Sequence, residues 1–398
     1  MSKLKFVLVG CGRIATLHVA GYRDNPDGEL WGVQDIKRDA AEKFAKEHDI
    51  PKVYGTFEEI LADPEVAGVE LLLPHHLHCE YTMKACQAGK HVAVQKPMAM
   101  NLEQCDTMIK AAKDNGVVLK VSENFIFYPP YRFAKKLLED GEIGAPVGIR
   151  LKMNNAGLAS NNVPIDMKVK RGGVPAGELV QKTGWEIDPK SWLWRFNHSL
   201  SGGGPTVFDD GYHKFSVIMY MLGEVEKVIA WIGKTQIIPG IYNDSPATVM
   251  WKHKGDRPLY GVWDIMQSDE MYVQSKYYTC DERVEITGSR GVLWITRCTA
   301  TMLPDVAPVV MYRDGKLTEF WDMKHDWADS FEASTRDFVH AAAHGTQPAL
   351  TGEQGREVLK FALAAVDSAN QGKEIYLDSY EDKAVPKKRG LLGIFAKK

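Results

Sequence analysis

The sequence lacks an apolar run long enough to cross a bilayer. A membrane-spanning helix needs roughly 20 consecutive apolar residues, whereas the first apolar run, Phe6–Val9, has only the length of a short strand. The same run is too short to be the core of a secretory signal. We therefore expect no membrane partner and a cytoplasmic protein.

Cysteine is scarce, and basic charge is not in excess. None of the six cysteines forms a C-x-x-C pair, so we expect reduced thiols and no metal site. The formal net charge of −3 at pH 7 gives no basic field, so we expect no nucleic-acid partner. The exception is a basic tail, residues 381–398, which we interpret as a disordered end or as an arm that clasps a second subunit.

The remaining composition is that of an ordinary globular protein, and 398 residues suit two domains. In residues 1–125, short apolar runs alternate with helical segments such as Asp39–His48 and Glu80–Ala88. The apolar runs are Phe6–Val9, Leu30–Val33, Val69–Leu73, His91–Val94 and Val117–Val121. This alternation predicts an α/β Rossmann domain with a doubly wound parallel sheet.

The pattern changes after Phe125. A predicted helix, Tyr131–Glu139, is followed by strand-like segments rich in β-branched and aromatic residues. These segments are Val225–Ile232, Ala247–His253, Leu259–Met266, Met271–Tyr278, Arg283–Thr287 and Val292–Thr296. Residues 126–380 are therefore predicted to form an α+β domain with a large, mostly antiparallel, open-faced sheet. Residues 155–204 show weak periodicity and are interpreted as a functional loop.

A glycine-rich turn follows the first predicted strand. The segment Val7–Ala15 reads as a strand that runs into G-x-G-x-x-A, with Gly10 for the tight turn and Gly12 for close backbone approach to a pyrophosphate. Backbone N–H groups from Arg13 and Ile14 onward would point at the phosphates. A dinucleotide is the predicted ligand.

An acidic residue, Asp35, ends the second predicted strand, 25 residues after Gly10. A carboxylate at this place accepts hydrogen bonds from the ribose hydroxyls of NAD and repels a 2′-phosphate. Lys37 and Arg38 follow at once and could pair with such a phosphate. We therefore predict NAD and leave NADP as the alternative.

Several segments together resemble the glucose–fructose oxidoreductase, inositol 2-dehydrogenase and rhizopine-catabolism (Gfo/Idh/MocA) family. The resembling segments, in chain order, are Leu73–His78, Gln95–Pro97, Gly202–Gly204, Asp209–His213 and Thr351–Glu353. Two positions depart from the family pattern: His75 stands where Asn is usual, and Gln95 replaces the usual Glu. The second departure leaves Lys96 without a carboxylate beside it in sequence.

Three residues are the candidate catalytic groups: Lys96, Asp209 and His213. Lys96 ends an apolar strand, and ligands bind at the carboxyl edge of a doubly wound sheet. Asp209 and His213 are spaced to share one helix face, and the resemblance implies that they are the family's catalytic pair. We assign His213 as general base with a pKa near working pH, Asp209 as the group that orients His213 or holds a substrate hydroxyl, and Lys96 as donor to the reacting oxygen. Asp210 is the rival of Asp209.

The resemblance also implies that the histidine-rich loop lies beside the nicotinamide and that the Lys96–Pro97 bond is cis. The further cofactor-side candidates are Pro74, His76, His78 and Gln95. A zinc site built from His75, His76 and His78 is the disfavoured alternative, because no ligand with suitable spacing completes it.

Aromatic residues crowd the segment before the glycine triplet. Trp185, Trp192 and Trp194 could stack on the C–H face of a sugar, and Arg195 could bind its hydroxyls; the alternative is that they anchor a long loop. Glu123, Asn124 and Tyr128, at the crossover between the domains, could line the same cleft.

These residues predict an NAD-dependent oxidoreductase acting on a secondary hydroxyl or ketone of a sugar, glycoside or cyclitol. The resemblance implies a homodimer or homotetramer formed through the open face of the second sheet. Two alternatives stay open. One is glycoside cleavage assisted by transient ring oxidation, and the other is a non-catalytic regulator that senses NAD and sugar.

Overall fold

The computed structural model describes residues 2–156, 193–238, 240–268, 271, 273 and 275–382. Trp185, Trp192 and the tail after Asp382, all interpreted above, lie outside these ranges. No helix in the described part of the chain is both long and apolar enough to span a membrane.

The N-terminal part contains a six-stranded sheet in which every neighbouring pair runs parallel. Its strands are β1 (Leu4–Val9), β2 (Gly28–Gln34), β3 (Lys52–Val53), β4 (Val66–Leu71), β5 (His91–Gln95) and β6 (Leu119–Ser122). The helices between them are α1 (Ala15–Val19), α2 (Arg38–Glu47), α3 (Phe57–Ala62), α4 (His75–Gln87) and α5 (Leu102–Asp114). The strand order β3-β2-β1-β4-β5-β6 reverses between β1 and β4, which opens a crevice at the carboxyl ends of these strands. The predicted Rossmann fold is confirmed.

The helix α4 begins five residues earlier than the predicted segment Glu80–Ala88. Pro74 precedes it with extended backbone, φ −60° and ψ 145°, and serves as its N-cap residue. The histidine-rich stretch therefore forms the first turn of α4 rather than a loop.

The second part of the chain forms a nine-stranded sheet. Its strands are β7 (Pro146–Asn155), β8 (Val225–Ile232), β11 (Ala247–His253), β12 (Tyr260–Gln267), β13 (Cys280–Gly288), β14 (Gly291–Ile295), β15 (Val309–Arg313), β16 (Lys316–Phe320) and β17 (Ile375–Tyr376). Their order across the sheet is β16-β15-β14-β13-β7-β12-β11-β8-β17. A separate two-stranded ribbon consists of β9 (Thr235–Ile238) and β10 (Ile241–Asn243). Neighbours run antiparallel except β7 and β12, which confirms the predicted mostly antiparallel sheet.

Helices cover one face of this sheet. Those packed on it are α6 (Pro129–Glu139), α8 (Gly211–Leu222) and α10 (Gly352–Gln371), whereas the short α7 (His198–Ser201) contacts α4 and the long α9 (Ala328–His344) contacts the N-terminal part. Phe215 of α8 meets Trp263 edge to face at 5.6 Å, and Phe361 of α10 lies 5.9 Å from Trp251. Side chains alternate in burial along β11, as expected when one sheet face is packed and the other open.

The predicted strand Met271–Tyr278 is wrong. Within the described residues of that segment, Ser275 makes one isolated bridge to Ala300 and no strand forms. The Ser275 hydroxyl accepts a hydrogen bond from the Tyr277 N–H at 3.0 Å. This local side-chain bond bends the backbone and competes with strand pairing.

The helix α9 returns from the second part of the chain to the first sheet. Its Phe338 lies 5.4 Å from Phe6 of β1, and Gly28 of β2 leaves no room for a Cβ, which would come within 2.7 Å of Val339. The two sheets are therefore tied together by helices as well as by the chain crossover, and a cavity lies between them.

Candidate active site

A cavity of about 210 Å³ opens between the carboxyl edge of the parallel sheet and the helix-covered face of the second sheet. Its walls come from both parts of the chain. The lining residues that carry polar or ionisable groups include His75, Gln95, Lys96, Asn124, Arg195, Asp209, Asp210, His213, Asn243 and Glu282. Trp194, Phe196, Trp327 and Phe331 supply aromatic surface.

The glycine turn lies beside this cavity and has the geometry that a pyrophosphate requires. Gly10 has φ +102°, and a Cβ there would lie 2.5 Å from the Leu72 carbonyl oxygen. At Gly12 a Cβ would meet nothing within 4 Å, so the backbone faces open space. The helix α1 that follows has no side-chain N-cap, and Ile14 lines the cavity. The turn therefore fits a bound dinucleotide.

The carboxylate of Asp35 holds this turn against the end of β2. Its Oδ2 accepts a hydrogen bond from the Cys11 N–H at 2.9 Å, and its Oδ1 accepts one from the Lys37 N–H at 2.8 Å. Lys37 and Arg38 are exposed, and Arg38 pairs with Glu42 at 2.8 Å. Between Asp35 and Lys37, the side chain of Ile36 is 96% exposed, a feature that the sequence analysis missed.

Lys96 follows the last residue of β5 and reaches into the cavity. Its Nζ donates to Asp209 at 2.9 Å from Oδ1 and 3.0 Å from the backbone oxygen, and the Lys96–Pro97 bond is cis. The Gln95 side chain turns back so that its Oε1 accepts from the Lys96 N–H at 2.9 Å. Asp209 thus supplies the carboxylate that the sequence around Lys96 lacks.

Asp209 is buried, and two further side chains besides Lys96 lie against its carboxylate. Its Oδ2 accepts from Arg195 Nε at 3.1 Å, and its Oδ1 lies 3.6 Å from His75 Nε2. Burial alone would favour the protonated form, but Lys96, His75 and Arg195 together hold the pKa of Asp209 well below its ordinary value. Asp209 is therefore a fixed anion that anchors two cations at the cavity wall.

His213 is paired with Glu123, not with Asp209. The His213 Nδ1 lies 2.8 Å and 2.6 Å from the two carboxyl oxygens of Glu123, and the ring stacks on Phe125 at 4.1 Å. The expected orienting role of Asp209 is therefore wrong, because its oxygens are taken up by Lys96 and Arg195. Glu123 was named as a cleft residue, but nothing in its local sequence signals a pairing with His213, 90 residues away.

The pKa values of this pair also differ from expectation. Burial, with Lys96 and Lys214 nearby, lowers the pKa of His213 well below its ordinary value, so the expected pKa near working pH is wrong. Burial raises the pKa of Glu123 to about 8. At neutral pH the Glu123 carboxyl is therefore protonated and the His213 ring is neutral, and the carboxyl proton lies in the hydrogen bond to Nδ1.

Asp210, the rival of Asp209, serves a different partner. Its Oδ2 lies 2.8 Å from Nζ of Lys214, and Lys214 also pairs with Glu282. Asp210 and Glu282 line the cavity, and the single buried Lys214 offsets only one of their two negative charges.

The three neighbouring histidines separate in the structure. His75 lines the cavity, bonds the Ser201 carbonyl through Nδ1 at 2.8 Å, and meets Trp194 edge to face at 4.7 Å; burial lowers its pKa to about 3. His78 is buried, with its ring nitrogens 2.9 Å and 2.8 Å from the Pro97 and Leu73 carbonyl oxygens. His78 therefore holds two backbone segments together through its ring nitrogens. His75, which was not among the predicted site residues, lines the cavity. His76 and Pro74 are not among the cavity-lining residues.

Some of the predicted substrate-binding residues line the cavity, and one does not. Asn124, Trp194 and Arg195 line the cavity, with the Arg195 guanidinium 4.6 Å from the Trp194 ring. Tyr128 does not: its side chain is fully buried, and its hydroxyl donates to the His325 carbonyl at 3.0 Å. Tyr128 immediately precedes α6, where its ring packs against Tyr131 at 5.4 Å. The assignment of Tyr128 to the substrate is therefore corrected to a packing role.

Comparison with known families identifies the chain. A family model described as "Oxidoreductase family, NAD-binding Rossmann fold" matches residues 4–123, and one described as "Oxidoreductase family, C-terminal alpha/beta domain" matches residues 135–377. Among curated relatives, myo-inositol 2-dehydrogenase of Thermotoga maritima is 23% identical and covers 94% of this chain and 99% of its own. The 1,5-anhydro-D-fructose reductase of Ensifer adhaerens is 26% identical, with 94% and 98% covered.

Among solved structures, a levoglucosan dehydrogenase in complex with NADH and levoglucosan superposes with a TM-score of 0.72 at 21% identity, covering 94% of this chain and 100% of that one. An oxidoreductase of Agrobacterium radiobacter in complex with NAD+, L-tartaric acid and magnesium gives 0.71 at 17% identity, covering 95% and 99%. The chain belongs to the Gfo/Idh/MocA family of oxidoreductases, and its N-terminal part is the NAD-binding Rossmann domain of that family.

Proposed function

We propose that this member of the Gfo/Idh/MocA family transfers a hydride between NAD and a secondary hydroxyl or ketone of an uncharged sugar, glycoside or cyclitol. The observation that carries the proposal is that Lys96, Asp209 and His213 line one cavity at the carboxyl edge of the parallel sheet. In this proposal residues 1–125 hold the cofactor, and residues 126–380 supply most substrate contacts. NAD, when bound, accepts or returns the hydride.

The cofactor-binding residues follow from the glycine turn. The open backbone at Gly12 receives the pyrophosphate, together with the first N–H groups of α1. Asp35 accepts from the adenosine ribose hydroxyls while keeping its bond to Cys11. The exposed side chain of Ile36 offers an apolar surface for the adenine ring. The carboxylate of Asp35 favours NAD over NADP.

Two proton-handling groups act on the substrate oxygen. Lys96 donates an N–H to that oxygen and stabilises negative charge as it develops there, while Asp209 keeps the ammonium in place. His213 uses Nε2, since its Nδ1 is engaged by Glu123. In oxidation, Nε2 takes the hydroxyl proton as the carbinol hydride leaves, and in reduction the same nitrogen returns it.

The charges around the cavity support an uncharged substrate. The cations Lys96 and Arg195 share the one carboxylate of Asp209, and the carboxylates of Asp210 and Glu282 share the one ammonium of Lys214, so the two clusters together carry no net charge. Asp210 and Glu282 also line the cavity and would repel a phosphate or carboxylate. Trp194 and Trp327 provide flat apolar surfaces that suit the C–H face of a ring. Relatives are named for myo-inositol, 1,5-anhydro-D-fructose and levoglucosan, which are uncharged cyclitols or sugars.

The open face of the nine-stranded sheet supports self-association into a homodimer or homotetramer. Large apolar side chains stand exposed on several of its strands. They include Trp231, Met250, Tyr260, Tyr312 and Leu317, each at least 44% exposed. Light scattering coupled to gel filtration tests this, because Trp231→Glu with Tyr260→Glu would shift the oligomer toward monomer. An unchanged mass would place the interface elsewhere.

A substrate screen tests the catalytic proposal. Neutral cyclitols, monosaccharides, anhydrosugars and glycosides are incubated with NAD+ or NADP+; formation of the reduced cofactor is followed by absorbance, and the products are analysed for bond cleavage. We expect turnover with NAD+ and at least one neutral polyol, and none with the matching sugar phosphates. Glycosidic cleavage without net NADH would instead support the glycoside-cleaving alternative. Cofactor binding without any turnover would support the regulator.

A further inference from the structure

A second cluster of ionisable side chains lies at the amino edge of the parallel sheet. Asp27 directly precedes β2, and His340 and His344 belong to the last two turns of α9. His340 Nδ1 is 3.3 Å from Asp27 Oδ2, and His344 Nε2 is 3.2 Å from Asp27 Oδ1. The potential ligand atoms of the three residues all lie within 4.8 Å of one another.

The candidate ligand atoms lie nearly as close together as those around a small transition-metal ion. Zinc binds imidazole nitrogen and carboxylate oxygen at about 2.0–2.2 Å, which in tetrahedral geometry separates neighbouring ligand atoms by about 3.3–3.5 Å. The two nitrogen-to-oxygen distances observed here are 3.3 and 3.2 Å, each to a different oxygen of the Asp27 carboxylate. An ion could therefore enter with small side-chain rotations and without backbone movement.

The backbone on both sides of the cluster is already fixed. His340 and His344 are spaced i, i+4, so they lie on one helix face, and their rings are 4.3 Å apart. Asp27 is held by its N–H, which donates to Asn25 at 3.0 Å. One turn earlier on α9, Arg336 donates to the Arg23 carbonyl at 2.6 Å. The helix and the turn are thus aligned before any ion binds.

We propose that Asp27, His340 and His344 form a binding site for a divalent transition-metal ion, with Zn²⁺ as the preferred occupant. Two imidazoles and one carboxylate suit zinc, whereas Mg²⁺ and Ca²⁺ prefer all-oxygen shells. The three side chains are 22–60% exposed, so water completes the fourth position. The ion joins α9, from the second part of the chain, to the turn before β2 of the Rossmann sheet.

The site is separate from the proposed active site. Asp27 lies at the amino end of β2, whereas Asp35 and the cavity lie at the carboxyl ends of the strands. Without an ion, the cluster still forms histidine–carboxylate hydrogen bonds, which the negative end of the α9 dipole would support. The experiment must therefore detect the ion itself rather than the stability of the contact.

Zinc binding is measured by isothermal titration of untagged, cofactor-free protein with ZnCl₂, in parallel with MgCl₂. We expect saturable binding of one Zn²⁺ per chain at this cluster and no heat from Mg²⁺. His344→Gln and Asp27→Asn should each weaken zinc binding about tenfold or more. The control His325→Gln removes an exposed histidine outside the cluster and should bind as the parent does.

Thermal unfolding gives a second readout. Zn²⁺ should raise the unfolding temperature of the parent and of His325→Gln but not that of His344→Gln, because an ion that binds only the folded state stabilises it. Zinc binding that persists unchanged in both cluster variants, or no saturable binding in the parent, would overturn the proposal. Neither readout involves turnover, so the result is independent of the substrate screen.

Discussion

The ammonium of Lys96 lies 2.9 Å from Oδ1 of Asp209, a residue 113 positions further along the chain. In the motif that Gln95-Lys96-Pro97 resembles, a glutamate directly precedes the lysine. Here Gln95 instead accepts from the Lys96 backbone N–H, and the charge partner comes from the π-helical segment Pro205–Asp210 that leads into α8. This pair joins the two parts of the chain at the point where the proposed chemistry occurs.

Replacing Lys96 by alanine tests its proposed role. We expect kcat to fall by about 10²–10⁴-fold, because the donor to the reacting oxygen is lost. NAD affinity, measured by fluorescence titration, should change little, since the glycine turn and Asp35 are untouched. The matched control is Lys136→Ala, which removes a lysine from an exposed helical pair with Asp140. Near-parental turnover in Lys96→Ala would remove this residue from the mechanism.

The His213–Glu123 pair predicts how the rate depends on pH. Burial raises the pKa of Glu123 to about 8. Below that pH the protonated carboxyl donates to Nδ1, so the neutral ring carries its proton on Nε2 and cannot accept another from the substrate. Above it, the carboxylate accepts from Nδ1–H and leaves Nε2 as a base. Oxidation should therefore accelerate as pH rises through about 8, and reduction should slow.

Glu123→Gln supplies the comparison for this profile. An amide does not titrate, so the inflection near pH 8 assigned to Glu123 should disappear from kcat/KM for oxidation. Turnover should also fall about 10–100-fold, because an imidazolium formed during proton transfer loses its carboxylate. An unchanged inflection in Glu123→Gln would assign it to another group.

Features encoded along the chain were predictable, and contacts between distant segments were not. The glycine turn with Gly10 and Gly12 was recognisable because it lies between a strand and a helix, and Asp35 because it follows the next strand. The bounds of β8 and β11 are those predicted, Val225–Ile232 and Ala247–His253. The place of Glu123 at the crossover between the domains indicated a cleft residue. Its pairing with His213 depends on the packing of α8 against Phe125, a contact between distant segments that the sequence does not show. The assignment of Tyr128 to the substrate was wrong because a tyrosine near a cleft can also point into the core, and the sequence does not distinguish the two orientations.

Asp35→Ala tests the proposed ribose contact. Removing the carboxylate eliminates repulsion of a 2′-phosphate and leaves exposed Lys37 and Arg38 nearby. We expect the ratio of kcat/KM for NAD+ over NADP+ to fall about tenfold or more, mainly through weaker NAD+ binding. Asp39→Ala, at an exposed acid on the next helix, should leave the ratio unaltered. Equal ratios in the parent and Asp35→Ala would show that Asp35 does not contact the ribose.

The two glycines of the turn should respond differently to alanine. At Gly10 the backbone has φ +102°, and a Cβ would come within 2.5 Å of the Leu72 carbonyl. Gly10→Ala should therefore destabilise the folded protein by about 1–3 kcal/mol through backbone strain, with the steric contact adding to it. At Gly12 a Cβ meets no protein atom within 4 Å, so Gly12→Ala should unfold at the parental temperature.

The cost of Gly12→Ala should appear only when NAD binds. The added methyl group occupies the open space where the pyrophosphate must approach the backbone, so NAD affinity should fall about tenfold or more while calorimetry without cofactor shows no loss of stability. Gly89→Ala, at a positive-φ helix end with open space around it, controls for general effects of a glycine replacement and should leave NAD affinity intact. If Gly12→Ala bound NAD as tightly as the parent, the phosphates could not lie against this turn.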